Sequence, residues 1–255
     1  MQITRCQPRQ GKENLQLIKF QPLINAVLPP QACLSCCQPV YRRLALCEDC
    51  EAELPWQPPG CEQCGLFALD QDHRGRCANC RQSPPAFDRC HCVFAYTHPI
   101  PQMIRRFKDH GNFAPGRCLA TLMSGAFRQY YFEQGSFPHW LVPVPLHQSR
   151  LRSRGFNQSV WMTRHIQSCT PVPALMHACK RLVTPRHQRG LGAQARILNT
   201  QNMFCAGPEA DLTAGGHIAI IDDVVTTTAT ANAVSQILRQ HGATRIDVWA
   251  LARVN

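Results

Sequence analysis

Eight cysteines fall into four Cys-x-x-Cys pairs: Cys33 and Cys36, Cys47 and Cys50, Cys61 and Cys64, Cys77 and Cys80. A Cys-x-x-Cys turn puts two thiolates on one side of a metal ion, and two such turns complete the tetrahedron that Zn²⁺ accepts. Ten residues separate the pairs of the first set and twelve those of the second, enough in each case for a hairpin to return the chain. The spacing predicts two structural zinc sites with no open coordination position. An iron–sulfur cluster would use the same thiolates, and Cys37 and His73 are spare ligands close by.

A second constellation lies near the carboxyl end. The apolar run 217–221 leads into Asp222 and Asp223, then into Thr226, Thr227, Thr228, Ala229 and Thr230, and then into a helical pattern over 231–241 with Ala233, Val234, Ile237 and Leu238 inward. Gly242 caps that helix, and 246–251 reads as the next strand. Hydroxyls and backbone N–H groups ahead of a helix suit a phosphate, aided by the helix dipole. The adjacent carboxylates suit sugar hydroxyls. Taken alone, the same residues could also be a helix cap and a solvated strand end.

A third group is the arginine-rich stretch 147–158. It holds Arg150, Arg152 and Arg154 ahead of Gly155, Phe156 and Asn157, and reads as a loop at the end of the buried strand 141–145. Ligands bind beyond the carboxyl ends of strands in open α/β sheets.

These groups need a scaffold, and the chain has one. Its 255 residues are 44% hydrophobic and 17% charged, which excludes disorder, collagen and coiled coil. No apolar stretch nears the roughly 20 residues of a membrane span. Lys19, Gln21, Pro22 and Asn25 interrupt any secretory signal, so the expected location is cytoplasmic, with attachment at the inner face of the membrane only through partners. Reduced thiols there favour metal over disulfides for the 16 cysteines. Of the net charge of +11, residues 93–255 carry +10, and 23 of the 27 basic residues are Arg, which suits polyanions. Three segments follow: a tail with a short helix (1–29), a double cysteine module (30–82) and a larger domain (83–255), with Ser83, Pro84 and Pro85 as the break before it. That domain opens with a strand over 89–96, a short helix carrying Met103, Ile104 and Phe107, and a longer one carrying Leu119, Leu122, Met123, Phe127 and Tyr130.

The run from Ile220 to Thr230 resembles the phosphoribosyl pyrophosphate loop of type I phosphoribosyltransferases. The chain as a whole resembles the ComF/GntX branch of that superfamily. The resemblance rests on the double zinc ribbon, Val142-Pro143-Val144-Pro145-Leu146, Arg154-Gly155-Phe156-Asn157-Gln158, and Gln188, Leu191, Arg196, Asn199 and Phe204 at the family's spacing. It implies an α/β fold with a parallel sheet between helices and a role in natural competence, the use of external DNA. By the same resemblance, Asp222 and Asp223 hold the ribose hydroxyls and Thr226, Thr227 and Thr230 the 5′-phosphate. Arg150, Arg154, Gly155 and Asn157 flank the pyrophosphate with Mg²⁺, and 185–199 is a covering loop that adds Arg186, Arg189 and Arg196.

Two departures stand out. The family has glycine where this chain has Thr228, so a different loop shape or a narrower phosphate seat is expected, and Ala195 replaces an acidic residue before Arg196. Two functional classes follow. One is an enzyme or sensor of phosphoribosyl pyrophosphate or a related sugar phosphate, which as an enzyme would displace pyrophosphate at the sugar C1. The other is a non-catalytic accessory factor holding single-stranded DNA, working with other DNA-uptake proteins. A redox or metal sensor built on the cysteines is a third. Trp140, Phe156 and Trp161 are expected in the core, not stacked on bases.

Overall fold

The computed structural model describes residues 30–110, 112–182 and 203–254. The cysteine module is small and irregular: strands β1 (Gln31–Ala32) and β2 (Pro39–Val40) pair antiparallel, and the short helices α1 (Glu48–Ala52) and α2 (Ala78–Gln82) each start at a cysteine. The larger domain runs β3 (Arg89–Ala95), α3 (Ile100–His110), α4 (Phe113–Glu133), β4 (Trp140–Pro143), α5 (Gln148–Arg154) and α6 (Gln158–Cys169). The hairpin β5 (Cys179–Arg181) and β6 (Phe204–Ala206) follows, then β7 (His217–Val225), α7 (Ala229–Gln240) and β8 (Arg245–Arg253).

Strands β3, β8, β7 and β4 form one sheet in that order, every pair parallel. A parallel sheet is covered on both faces, so its strands read as unbroken apolar runs. In β7, Ala219 and Ile221 pack with α4 and α6, whereas Ile218 and Ile220 pack with α7. In β8, Trp249 and Leu251 take the first side and Ile246, Val248 and Ala250 the second. The period of two thus survives in space although it is invisible in hydropathy.

The cysteine module is docked, not merely tethered. Cys33, Val40, Leu46 and Leu54 share a buried cluster with Phe94, Leu119 and Met123. Gln57 N donates to the carbonyl of Val93 at 3.0 Å, and Ala95 N to that of Pro55 at 2.8 Å, so residues 55–57 cover the free edge of β3.

Three expectations are corrected. β7 does not end at Asp222 but stays paired with β8 to Val225, because Asp222 faces Ala250 and Val224 faces Ala252 in register. The helix after it begins at Ala229, two residues earlier than its apolar pattern suggested. The arginine-rich stretch is mostly helix α5. His147 caps its start by accepting from Ser149 N, and Gly155, at φ +82°, ends it in the left-handed conformation.

Candidate functional site

The two cysteine tetrads assemble as their spacing predicts. In each, one sulfur from every residue lies within 4.8 Å of the others. The sulfur–sulfur separations are 3.9 Å for Cys33–Cys47, 3.7 Å for Cys36–Cys47 and 3.8 Å for Cys64–Cys77. A tetrahedron with Zn–S bonds of about 2.3 Å has edges of about 3.8 Å. The donor set therefore fits zinc. Backbone N–H groups point at sulfur, from Cys47 to Cys33 at 3.5 Å and from Cys77 to Cys61 at 3.3 Å. Although burial pushes both thiols up, such donors hold Cys33 down to about 6 and Cys61 to about 7. Burial and the neighbouring thiols push Cys50 up to about 12 and Cys64 to about 11, a crowding of potential charge that a dication relieves.

At the far end of the sheet, β7 delivers Asp222 and Asp223 into the start of the threonine loop. Asp223 N donates to Asp222 Oδ1 at 2.8 Å. Helix α6 steadies both: Gln158 Nε2 donates to Asp223 Oδ2 at 3.0 Å, and Ser159 Oγ to Asp222 Oδ1 at 3.4 Å. Lys108, from α3, makes an ion pair with Asp223. Burial, and then the charge of Asp223, push the Asp222 carboxyl up to about 7. One carboxylate is thus neutralised by a lysine while its neighbour sits poised to hold or release a proton near neutrality.

The loop that follows carries a strained residue. Thr228 has φ +61° and ψ −5°, the left-handed region, and with Cys37 is one of two non-glycine residues at positive φ among the described residues. A β-branched residue there is an outlier. The backbone here takes the left-handed conformation that glycine adopts freely, with a threonine side chain on it. Its carbonyl accepts from Asn232 N at 2.8 Å, opening α7, and residues 224–231 with Asp222 surround a small cavity of about 30 Å³. Thr226 and Thr227 are exposed, and Thr228, Ala229 and Thr230 partly so.

The base of this loop is bolted from below. Arg253, almost fully buried at the end of β8, donates from Nη1 to the carbonyls of Val225 at 3.2 Å, Val254 at 2.7 Å and Thr226, and from Nε to the carbonyl of Cys64 at 3.1 Å. A ligand of the second tetrad and the first residues of the loop thus share one guanidinium.

On the arginine side, Arg150 and Arg154 lie one turn apart on α5 and so on one face, with Arg152 off it. Asn157 caps α6 by accepting from Ser159 N at 2.9 Å and donates to the carbonyl of Val144 at 3.0 Å, fixing the segment to the end of β4. Phe156 and Trp161 belong to an aromatic cluster with Phe107 and Phe113, and Trp140 packs against the core on the α7 side of the sheet; all three are only partly buried, short of the core position expected of them, and Phe156 and Trp161 line a cavity beside α5. The region 185–199, with Arg186, Arg189 and Arg196, lies outside the described residues, as does the segment 1–29.

Three basic residues here escape sequence reasoning. Besides Lys108 and Arg253, Arg181 of β5 lies over the Phe204 ring at 5.3 Å, its Nε buried without a hydrogen-bond partner among the described residues. Burial, and then the charge of Arg150, lower its pKa, while Asp222 opposes them. Neither arginine stands out locally, since Arg181 follows Lys180 in β5 and Arg253 shares β8 with Arg245 and Asp247.

Residues 23–81 match the family model of the double zinc ribbon domain. Competence protein F of Haemophilus influenzae is 32% identical over 209 residues, which span 82% of this chain and 90% of that protein. The DNA utilization protein YhgH of Escherichia coli K12 is 30% identical over 232 residues, 88% of this chain and 97% of that one. The competence protein ComFC of Streptococcus pneumoniae is 26% identical over 214 residues, 82% and 87%. Among solved structures, a purine phosphoribosyltransferase from Pyrococcus horikoshii is similar over 53% of this chain and 70% of its own, at 13% identity and a TM-score of 0.31. No helix among the described residues is long and apolar enough to cross a membrane.

Proposed function

The chain belongs to the family of competence protein F and the DNA utilization protein YhgH, and from that premise we propose that it serves the use of external DNA by binding phosphoribosyl pyrophosphate, or a related sugar phosphate, with Mg²⁺ at the loop between β7 and α7. The observation that carries this reading is the conjunction at one strand end of Asp222, Asp223 and a loop in which Thr228 holds a left-handed backbone to start a twelve-residue helix.

In this reading Asp222 and Asp223 accept from the ribose hydroxyls. The N–H groups and hydroxyls of Thr226, Thr227 and Thr230, at the positive end of α7, receive the 5′-phosphate. Arg150, Arg154 and the half-buried Arg181 face the pyrophosphate oxygens, Gly155 and Asn157 fix the helix that presents them, and Arg196 approaches from the covering segment. Mg²⁺, a hard cation that takes oxygen ligands, would supply charge to the departing pyrophosphate and be held beside Asp222. In an enzyme, Asp222 would take the proton of the incoming nucleophile, for which a carboxyl poised near 7 is suited.

One observation favours a second reading. Lys108 already neutralises Asp223, as it would in a site that no longer turns over. The same scaffold would then hold single-stranded DNA through its arginines, without chemistry. Pyrophosphate binding followed by equilibrium dialysis separates the two. The ligand reading expects saturation that needs Mg²⁺ and Asp222, while the accessory reading expects oligonucleotide affinity that falls steeply with salt and ignores Asp222.

A further inference from the structure

A cavity of about 580 Å³ lies beside α5, and it shares no residue with the small cavity of the Asp222 loop. It opens where the sheet gives out. Strand β4 stands at the end of the strand order, and past Pro143 the chain turns into α5 and α6. The segment returning from α6 meets β4 through the single bridge of Leu141 with Ala174 before it becomes β5. The space left between the α5–α6 corner and β5 falls in the size range of small-molecule sites.

Its walls are apolar, and its charges are all of one sign. Leu146, Leu151, Phe156, Trp161 and Met176 line it. The two rings are held from behind, each 5.1 Å from the buried Phe107, and both stay partly exposed. Arg164, Lys180 and Arg181 line it too, and the described residues around it include no aspartate or glutamate. None of these three cations makes an ion pair among the described residues. Arg181 lies over the Phe204 ring and donates from Nη2 to the Met203 thioether at 3.5 Å, a weak acceptor. Arg164 and Lys180 are exposed at the rim. The cavity also meets a different face of α5 from the one that carries Arg150 and Arg154. Gln148 and Leu151 line it, and at about 100° per residue the two arginines project roughly a third of a turn away from them.

Like charges gathered at an apolar hollow repel one another, and an anion entering between them relieves that repulsion. We propose that this cavity binds a small aromatic carboxylate, its ring against Leu151, Phe156 and Trp161 and its carboxylate turned to the cations. The partly exposed rings select a flat apolar body over a sugar. Unpaired cations with no acid beside them select an anion over a neutral or cationic ligand. The site is independent of the sugar-phosphate reading, although Arg181 borders both.

The test is calorimetric titration of the full-length zinc-loaded protein with 2-naphthoate, and with 2-naphthamide as its uncharged match. Naphthoate should bind saturably and the amide about tenfold more weakly, as loss of a charge-assisted contact implies. Arg164→Gln and Lys180→Gln remove exposed side chains, so neither disturbs the fold. Each should weaken naphthoate about threefold, and the two together about tenfold, the scale of exposed ion pairs. Leu151→Asp, also at an exposed position, sets a carboxylate in the wall and should abolish binding. Asp222→Ala with Asp223→Ala should leave naphthoate binding unchanged, which separates failure of this site from failure of the sugar-phosphate site. The proposal is overturned if naphthoate does not saturate, if the amide binds as well, or if the Arg164→Gln, Lys180→Gln double variant, folded by circular dichroism, binds like the parent. Loss of naphthoate binding in the aspartate variant would place the ligand at the Asp222 loop and overturn it equally.

Discussion

Arg253 Nε donates to the carbonyl of Cys64 at 3.1 Å while its Nη1 holds the carbonyls of Val225 and Thr226. The second cysteine tetrad and the base of the candidate phosphate loop are therefore mechanically one unit, joined by an arginine 189 residues from Cys64 in the chain.

Arg253→Ala should leave the carbonyls of Cys64, Thr226 and Val254 short of a donor, while that of Val225 keeps Val254 N, at a cost of about 3 kcal/mol, since each unpaired buried group costs about 1–3 kcal/mol. Chemical denaturation reads the loss. Stripping metal with a strong chelator should act on the same unit from the other side: circular dichroism of the module should change, and the Val225 and Thr226 amides should exchange faster with solvent. Unchanged exchange there after zinc removal would break the link.

Thr228→Gly should stabilise the protein. A β-branched residue at φ +61° stores about 1–3 kcal/mol, and glycine returns about 0.5–1 kcal/mol of that as chain entropy. A net gain of about 1 kcal/mol is expected as a higher denaturation midpoint, together with tighter phosphate binding. Thr228→Val, which keeps the β-branch, should give no such gain.

Ligand binding should depend on pH through Asp222. Its folded-state carboxyl, held up near 7 by burial and by Asp223, is raised above the unfolded value of about 4. Ionising it therefore costs the folded protein stability as pH rises from about 4 to 7, and delivers the acceptor that a ribose needs only above about 7. Affinity should be roughly tenfold weaker at pH 6 than at pH 8, one unit of pH per proton. Asp222→Asn should flatten the profile and stabilise the unliganded protein at pH 8.

Asp247 works the other way. Fully buried, its Oδ2 accepts from Tyr131 Oη at 2.8 Å, lies 2.8 Å from His217 Nε2 and pairs with Arg245 at 3.2 Å. Burial opposes ionisation, but His217 and Tyr131 win and hold the carboxyl below its usual range. Its contribution is complete above about pH 4 and is lost as pH falls below that, through the lowered folded value. Asp247→Ala should cost about 3–5 kcal/mol by leaving the partners unpaired. Tyr131→Phe should cost nearer 1–2 kcal/mol.

Local patterns carried the cysteine tetrads, the parallel strands and the Asp222–Thr230 loop into the reading of the sequence, because their signals are spacing and hydropathy within one segment. Two carboxylates normally end a strand in water, which hides the last residues of β7, whereas here Gln158, Ser159 and Lys108 from other elements receive them. Arginines at alternate positions break helical apolar periodicity, which hides α5. A seven-residue helix without buried residues has none to show. Lys108, Arg181 and Arg253 acquire their roles only when distant elements meet, and no window of sequence contains that meeting.

Binding of a sugar phosphate at the loop after Asp223 is what we propose for this protein. Calorimetric titration of phosphoribosyl pyrophosphate into the zinc-loaded protein, with and without Mg²⁺, tests it most directly when paired with an Asp222→Ala, Asp223→Ala double variant. Saturable heat that requires Mg²⁺ and disappears in the folded variant is the predicted result. A parent protein that is folded and zinc-loaded yet releases no heat, or a variant that binds as the parent does, would contradict it.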